Sequence, residues 1–163
     1  MGVVRDLMIR RILQYALLLL FLASTPAVAS NGGIAAAEAQ QGFKEILEIW
    51  RGENYEGLFA RLEHPPEQGW PYFAQRIVYG SRIPACCWEM LQDITVTVLD
   101  ADNVGIKARV GLEVEGVGTR FVVRDFTLHR SDGVWKLPMH VVLELADYNY
   151  QRIPRKVYER TVD

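Results

Sequence analysis

The chain has 163 residues, half of them hydrophobic and 23% charged, with a formal net charge of -2. That length implies one domain rather than two, and the composition excludes wholesale disorder and collagen-like repeats. Without a basic excess to neutralise phosphates, nucleic acid is not expected as a partner, and two cysteines cannot build a disulfide scaffold or a four-thiolate zinc site.

Residues 1–29 read as a secretory signal. Arg5, Arg10 and Arg11 precede an apolar run, Ile12 to Ala23, and small residues at Ala27 and Ala29 suit cleavage before Ser30. The competing reading is a membrane anchor, but the run is shorter than the ~20 residues that span a bilayer. No cysteine follows it, which excludes lipoprotein processing. Arg10-Arg11 leaves a twin-arginine route open beside the general secretory one. No later segment is apolar enough to span a membrane. The expected location is therefore periplasmic or secreted.

Residues 30–35 read as a flexible leader around Ser30-Asn31-Gly32-Gly33. Helical spacing begins at Ala35 and runs to Arg51, with Phe43, Ile46, Leu47 and Trp50 on one stripe. Asn54 then caps a shorter helix reaching Leu62, stopped by His64-Pro65-Pro66. A third helix starts near Pro71 and closes at Gly80.

From Ile94 the period changes to two. Strands are predicted at Ile94–Val98, Val104–Val114, Thr119–Arg130 and from Trp135 to Leu145, with one apolar face each. The expected class is α+β, with N-terminal helices on a curved antiparallel sheet of four or more strands. Asp132-Gly133 pairs Leu128 with Leu137, Phe126 with Met139 and Arg124 with Val141. A loop at Gly116-Val117-Gly118 pairs Glu115 with Thr119 and Ala108 with Phe126. Both registers agree on which face is apolar.

Two polar features follow. Arg124 falls on the apolar face, either as an anion-binding group in a pocket between helices and sheet, or as a structural arginine paired with a helix carboxylate such as Glu45 or Glu48. The opposite face aligns Arg109, Asp125 and His140, either as a charge-coupled histidine able to move protons or as a solvated ion network. Asp125 and His140 are thus the catalytic candidates. The aromatic residues either line a pocket or fill the core; Tyr55, Tyr72 and Trp88 join Arg124 as the ligand-binding candidates. Cys86 and Cys87 admit a bond between neighbours, an intermolecular bridge or two buried thiols. No metal-ligand spacing, nucleophile motif, phosphate loop or dinucleotide fingerprint occurs, so no metal or cofactor is expected.

Helices followed by a long meander resemble the nuclear-transport-factor-2-like, or cystatin-like, α+β cone over residues 36–146, with 147–163 left as a tail. The likeness rests on Gly52-Glu53-Asn54-Tyr55-Glu56-Gly57-Leu58-Phe59 between helices, and on Ser131-Asp132-Gly133-Val134-Trp135-Lys136 in the last hairpin. The resemblance implies a pocket between helices and sheet and, in many members, dimers through the outer sheet face, here Phe121, Val123 and Val142. Catalytic members place Asp or His inward, whereas here Arg124 points inward. The expected function is therefore a non-catalytic binding domain for a partner or for a small apolar or acidic ligand. A small isomerase or hydrolase and a self-assembling scaffold subunit are the alternatives.

Overall fold

The computed structural model describes residues 31–147. The signal reading for residues 1–29, Ser30, and the tail from Tyr148 onward lie outside the described residues. The described chain is α+β, with three helices ahead of most of the sheet and a fourth at its end.

Helix α1 spans Asn31–Arg51. It begins before Ala35, so the expected leader is helical over residues 31–35; three alanines favour helix, and Ala35 already packs on the core. Ala39, Phe43, Ile46, Leu47 and Trp50 are at most 1% exposed and form its buried stripe. Gly42 lies where the helix crosses Trp135, and a Cβ there would stand 2.9 Å from the Trp135 Cβ. Helix α2 spans Tyr55–Ala60, and the Asn54 side chain accepts the Gly57 N–H at 3.0 Å. Helix α3 spans Trp70–Ile77, with Pro71 in its first turn as predicted.

The strands are β1 (Leu62–Glu63), β2 (Arg82–Pro84), β3 (Leu91–Val98), β4 (Asn103–Val114), β5 (Gly118–Ser131) and β6 (Val134–Pro138). The sheet order is β1-β6-β5-β4-β2, and β3 also pairs with β4. Only the short β1–β6 pair is parallel among these. Val104, Ile106, Ala108, Val110 and Leu112 of β4 are buried with Phe126, Leu128 and Leu137. One apolar face therefore runs across three strands, as the alternation requires.

The Asp132-Gly133 turn forms as expected: both residues take positive φ, and Ser131 pairs with Val134. The β4–β5 register differs by two residues, with Val114 opposite Gly118 and Ala108 opposite Arg124. The loop is Glu115-Gly116-Val117, with Gly116 at positive φ inside it, and Gly118, also at positive φ, opens β5 instead of closing the loop. A shift of two leaves each side chain on its predicted face.

The last strand is shorter than predicted. It stops at Pro138, and Met139–Ala146 forms helix α4. The alternation from Trp135 to Leu145 imitates a strand, but Val142 and Ala146 are buried as well. Only His140 and Glu144, four residues apart, are exposed, which is helical spacing. The pairings of Met139 with Phe126 and of Val141 with Arg124 do not exist.

Arg61, following α2, ties this helix layer to the sheet. Its Nε donates to the Trp135 carbonyl at 3.2 Å, and its guanidinium reaches Glu45 at 3.1 Å. Hydrogen bonds from Gln41 and then Arg61 hold the Glu45 carboxyl below its ordinary pKa. A lowered folded-state value means that the contribution is full above the unfolded pKa and is lost as pH falls through the folded one. Glu45→Gln is therefore expected to cost a few tenths of a kcal/mol at neutral pH, since the pair is solvent-screened. The difference from wild type should vanish at about pH 3. Urea midpoints at the two pH values check this.

Candidate functional site

Arg124 is paired with a helix carboxylate, as its structural reading has it, but that carboxylate is Glu144 of α4 rather than Glu45 or Glu48. Its guanidinium donates to the Glu144 carboxylate at 3.0 Å and lies 5.6 Å from the Phe126 ring centroid. The side chain is 33% exposed, so it is not a charge sunk in a pocket. The change of the last strand to α4 is the reason: it delivers Glu144 to this face, leaving Glu45 to Arg61.

The same change disperses Arg109, Asp125 and His140. Asp125 sits on β5 opposite Lys107, and Arg109 pairs with Asp93 at 3.7 Å and lies over Phe121. His140 stands in the first turn of α4. Among the described residues, no hydrogen bond or ion pair joins His140 to Asp125 or Arg109. Val142 is fully buried in α4, so the outer-face patch keeps only Phe121 and Val123 of its three expected members.

Tyr55 is 9% exposed and belongs to the core. Tyr72 is half-buried, with the Arg76 guanidinium 3.4 Å from its ring centroid. Trp88 differs from both: it is 74% exposed.

Trp88 is held out by a firmly seated loop. Residues 85–90 bridge β2 and β3, which both pair with β4, and pass over Gly111 at the gap between them. The Ala85 N–H donates to the Gly111 carbonyl at 2.8 Å, and the Gly111 N–H to the Met90 carbonyl at 3.1 Å. The Cys86 N–H donates to Glu113, whose carboxylate also receives Arg51 at 2.8 Å. Thr119 donates to the Glu89 carboxylate at 2.8 Å, and Gln92 to the Trp88 carbonyl at 3.1 Å. A disulfide joins Cys86 to Cys87. Of the readings open from sequence, the bond between neighbours is the one formed; the thiols are neither free nor deeply buried.

Beside this loop lies a cavity of about 280 Å³. Helix α1 supplies Gln40, Gln41 and Lys44 on one side, and the loop supplies Cys87 and Trp88 on the other. Met90, Leu91 and Ile94 make an apolar floor. The cavity lies between α1 and the β3 edge of the sheet, and Arg124 does not line it. Sequence reasoning missed Gln40, Gln41 and Lys44, which belong to no motif.

A larger cavity, about 490 Å³, lies between the start of α1 and the Asp100–Ala101 turn. Arg130, the cation among its described lining residues, is already engaged by Glu38 and Asp102, each at 3.4 Å, and by the Ala101 carbonyl at 3.0 Å. The Asp102 N–H and then the Asn103 amide hold the Asp100 carboxyl below its usual pKa. These are turn-closing interactions, so the smaller cavity is the better candidate.

Compared with known protein families and with curated proteins, the chain matches none. Among the described residues, no group of three His, Cys, Asp or Glu side chains is placed to hold a metal, and no helix is long and apolar enough to cross a membrane.

Proposed function

We propose that this chain is an exported, non-catalytic binding domain of nuclear-transport-factor-2-like architecture. Its ligand lies between α1 and the sheet, against Trp88. The observation that carries the reading is an indole 74% exposed on a loop whose backbone is fixed from both sides. Burying a large aromatic side chain is worth several kcal/mol. A rigid loop that forgoes this gain has the geometry of a ligand platform. The polar rim and apolar floor suit a small molecule. A second reading, self-association through the outer face, draws on Phe121 and Val123, which are 38% and 62% exposed.

Native mass spectrometry of the full chain purified from a bacterial periplasm tests these readings together. The expected spectrum shows a polypeptide beginning at Ser30 with a retained small-molecule adduct, and Trp88→Ala abolishes that adduct. A bare wild-type polypeptide, or an adduct indifferent to Trp88→Ala, defeats the binding reading. An intact leader defeats the export reading. A monomer at high concentration defeats self-association.

A further inference from the structure

The chemistry of the Trp88 cavity narrows the class of ligand, an inference that rests on reading it as a binding site. We propose that the ligand is a neutral saccharide, one ring stacked on the Trp88 indole with its hydroxyls bonded by Gln40 and Gln41.

The cavity volume of about 280 Å³ falls at the lower edge of the roughly 300–1,000 Å³ typical of small-molecule sites. It accommodates one ring-sized unit, with further units left in solvent. The floor offers no deep apolar hole, because Met90 is only 4% exposed and already packed in the core. What the site offers is a flat apolar plate, the exposed Trp88 indole. A pyranose ring matches such a plate: its axial C–H bonds make one apolar face, and its hydroxyls radiate around the rim.

The rim groups point the same way. An amide donates and accepts at once, as a hydroxyl does. The Gln40 side chain has no hydrogen-bond partner among the described residues, and the residue is exposed beside the cavity. Gln41 spends one N–H on Glu45 at 3.1 Å and keeps its carbonyl and second N–H. Among the described residues no arginine lines the cavity, so none of them brings the planar fork that selects carboxylates and phosphates. Lys44 brings a positive charge, but it is paired with Glu48 at 3.7 Å. A purely aromatic ligand would use the plate and leave both amides unserved, whereas a polyol ring uses both.

A glycan array carrying neutral and acidic oligosaccharides, probed with the full-length exported protein, provides the test. Fluorescence titration with the soluble form of each hit follows. Neutral glycans are expected to bind saturably. Trp88→Ala should weaken them about tenfold, the scale of one aromatic stacking interaction and enough to lose an adduct that must survive purification, while Trp88→Phe retains most of the affinity. The Gln40→Ala/Gln41→Ala double variant should weaken them comparably, and Lys44→Gln should change little. Circular dichroism of each variant confirms folding.

Glycan binding unaffected by Trp88→Ala overturns the proposal. So does preference for acidic glycans that is lost in Lys44→Gln. If no glycan binds while the purified protein carries a Trp88-dependent adduct of non-saccharide mass or a bound peptide, the saccharide assignment fails and the binding site stands. If neither a glycan nor any Trp88-dependent adduct is found, both fail.

Discussion

Phe43→Ala is expected to remove about 3–5 kcal/mol of folding stability, the range for truncating a buried aromatic side chain. Phe43 is fully buried at the middle of α1, and its ring centroid lies 4.7 Å from that of Phe126 on β5. The pair joins the helix layer to the sheet at one point, so truncation loses transfer energy and leaves a cavity that rigid neighbours cannot fill. Single domains have roughly 5–15 kcal/mol in total, so the variant should melt roughly 10 °C or more below wild type. Urea denaturation gives the free energy, and a double-mutant cycle with Phe126→Ala isolates the ring–ring part at about 0.5–1.5 kcal/mol. A loss below about 1 kcal/mol would show that α1 is not seated on the sheet as described.

The face of the sheet that carries Phe126 was readable from sequence because a period of two leaves no choice once one side is buried. That reading survives a register error of two residues, since such a slip moves pairs along the strand without turning them over. The error arose because Gly116 and Gly118 can each serve as a turn glycine, and the sequence does not rank them. The misreading of Met139–Ala146 had a different origin. Six of its eight residues are buried, so its hydrophobic pattern carries almost no period, and the strand before it supplied one. His140 and Glu144 alone carried the helical spacing.

The binding cavity was less legible still. Its walls come from α1 and from a loop about forty residues later in the chain, and their meeting depends on where the helix axis lies against β3. Local patterning fixes which side of α1 is buried, but it does not fix the lateral placement of Gln40, Gln41 and Lys44. Trp88 was identified as aromatic surface without any sign that it would stay in water. Its exposure goes with a loop seated on β4 by hydrogen bonds to Gly111 and Glu113, two strand residues far from it in sequence.

Gly111→Ala tests that dependence and is expected to cost about 3 kcal/mol, the upper part of the range for overpacking a tight site. A Cβ at this position would run into the Glu89 backbone carbonyl and lie 3.2 Å from the Ala85 Cβ. Backbone cannot swing aside as a long side chain can, so the 85–90 loop must lift from β4. Lifting it breaks the Ala85–Gly111 and Gly111–Met90 hydrogen bonds, each worth about 1 kcal/mol. Gly105 on the same strand is the control, because the nearest atom to its added Cβ is 3.7 Å away, an ordinary contact. Gly105→Ala should therefore be neutral or slightly stabilising, since alanine loses less conformational freedom on folding. The functional readout separates the loop from its tip. Trp88→Ala should abolish the retained ligand and leave the urea midpoint unchanged, because a side chain 74% in solvent contributes little to folding. Gly111→Ala should lower the midpoint and abolish the ligand together, although residue 111 does not line the cavity. If Gly111→Ala keeps both, the loop is not seated by that close approach, and the rigid platform under Trp88 is lost as an explanation.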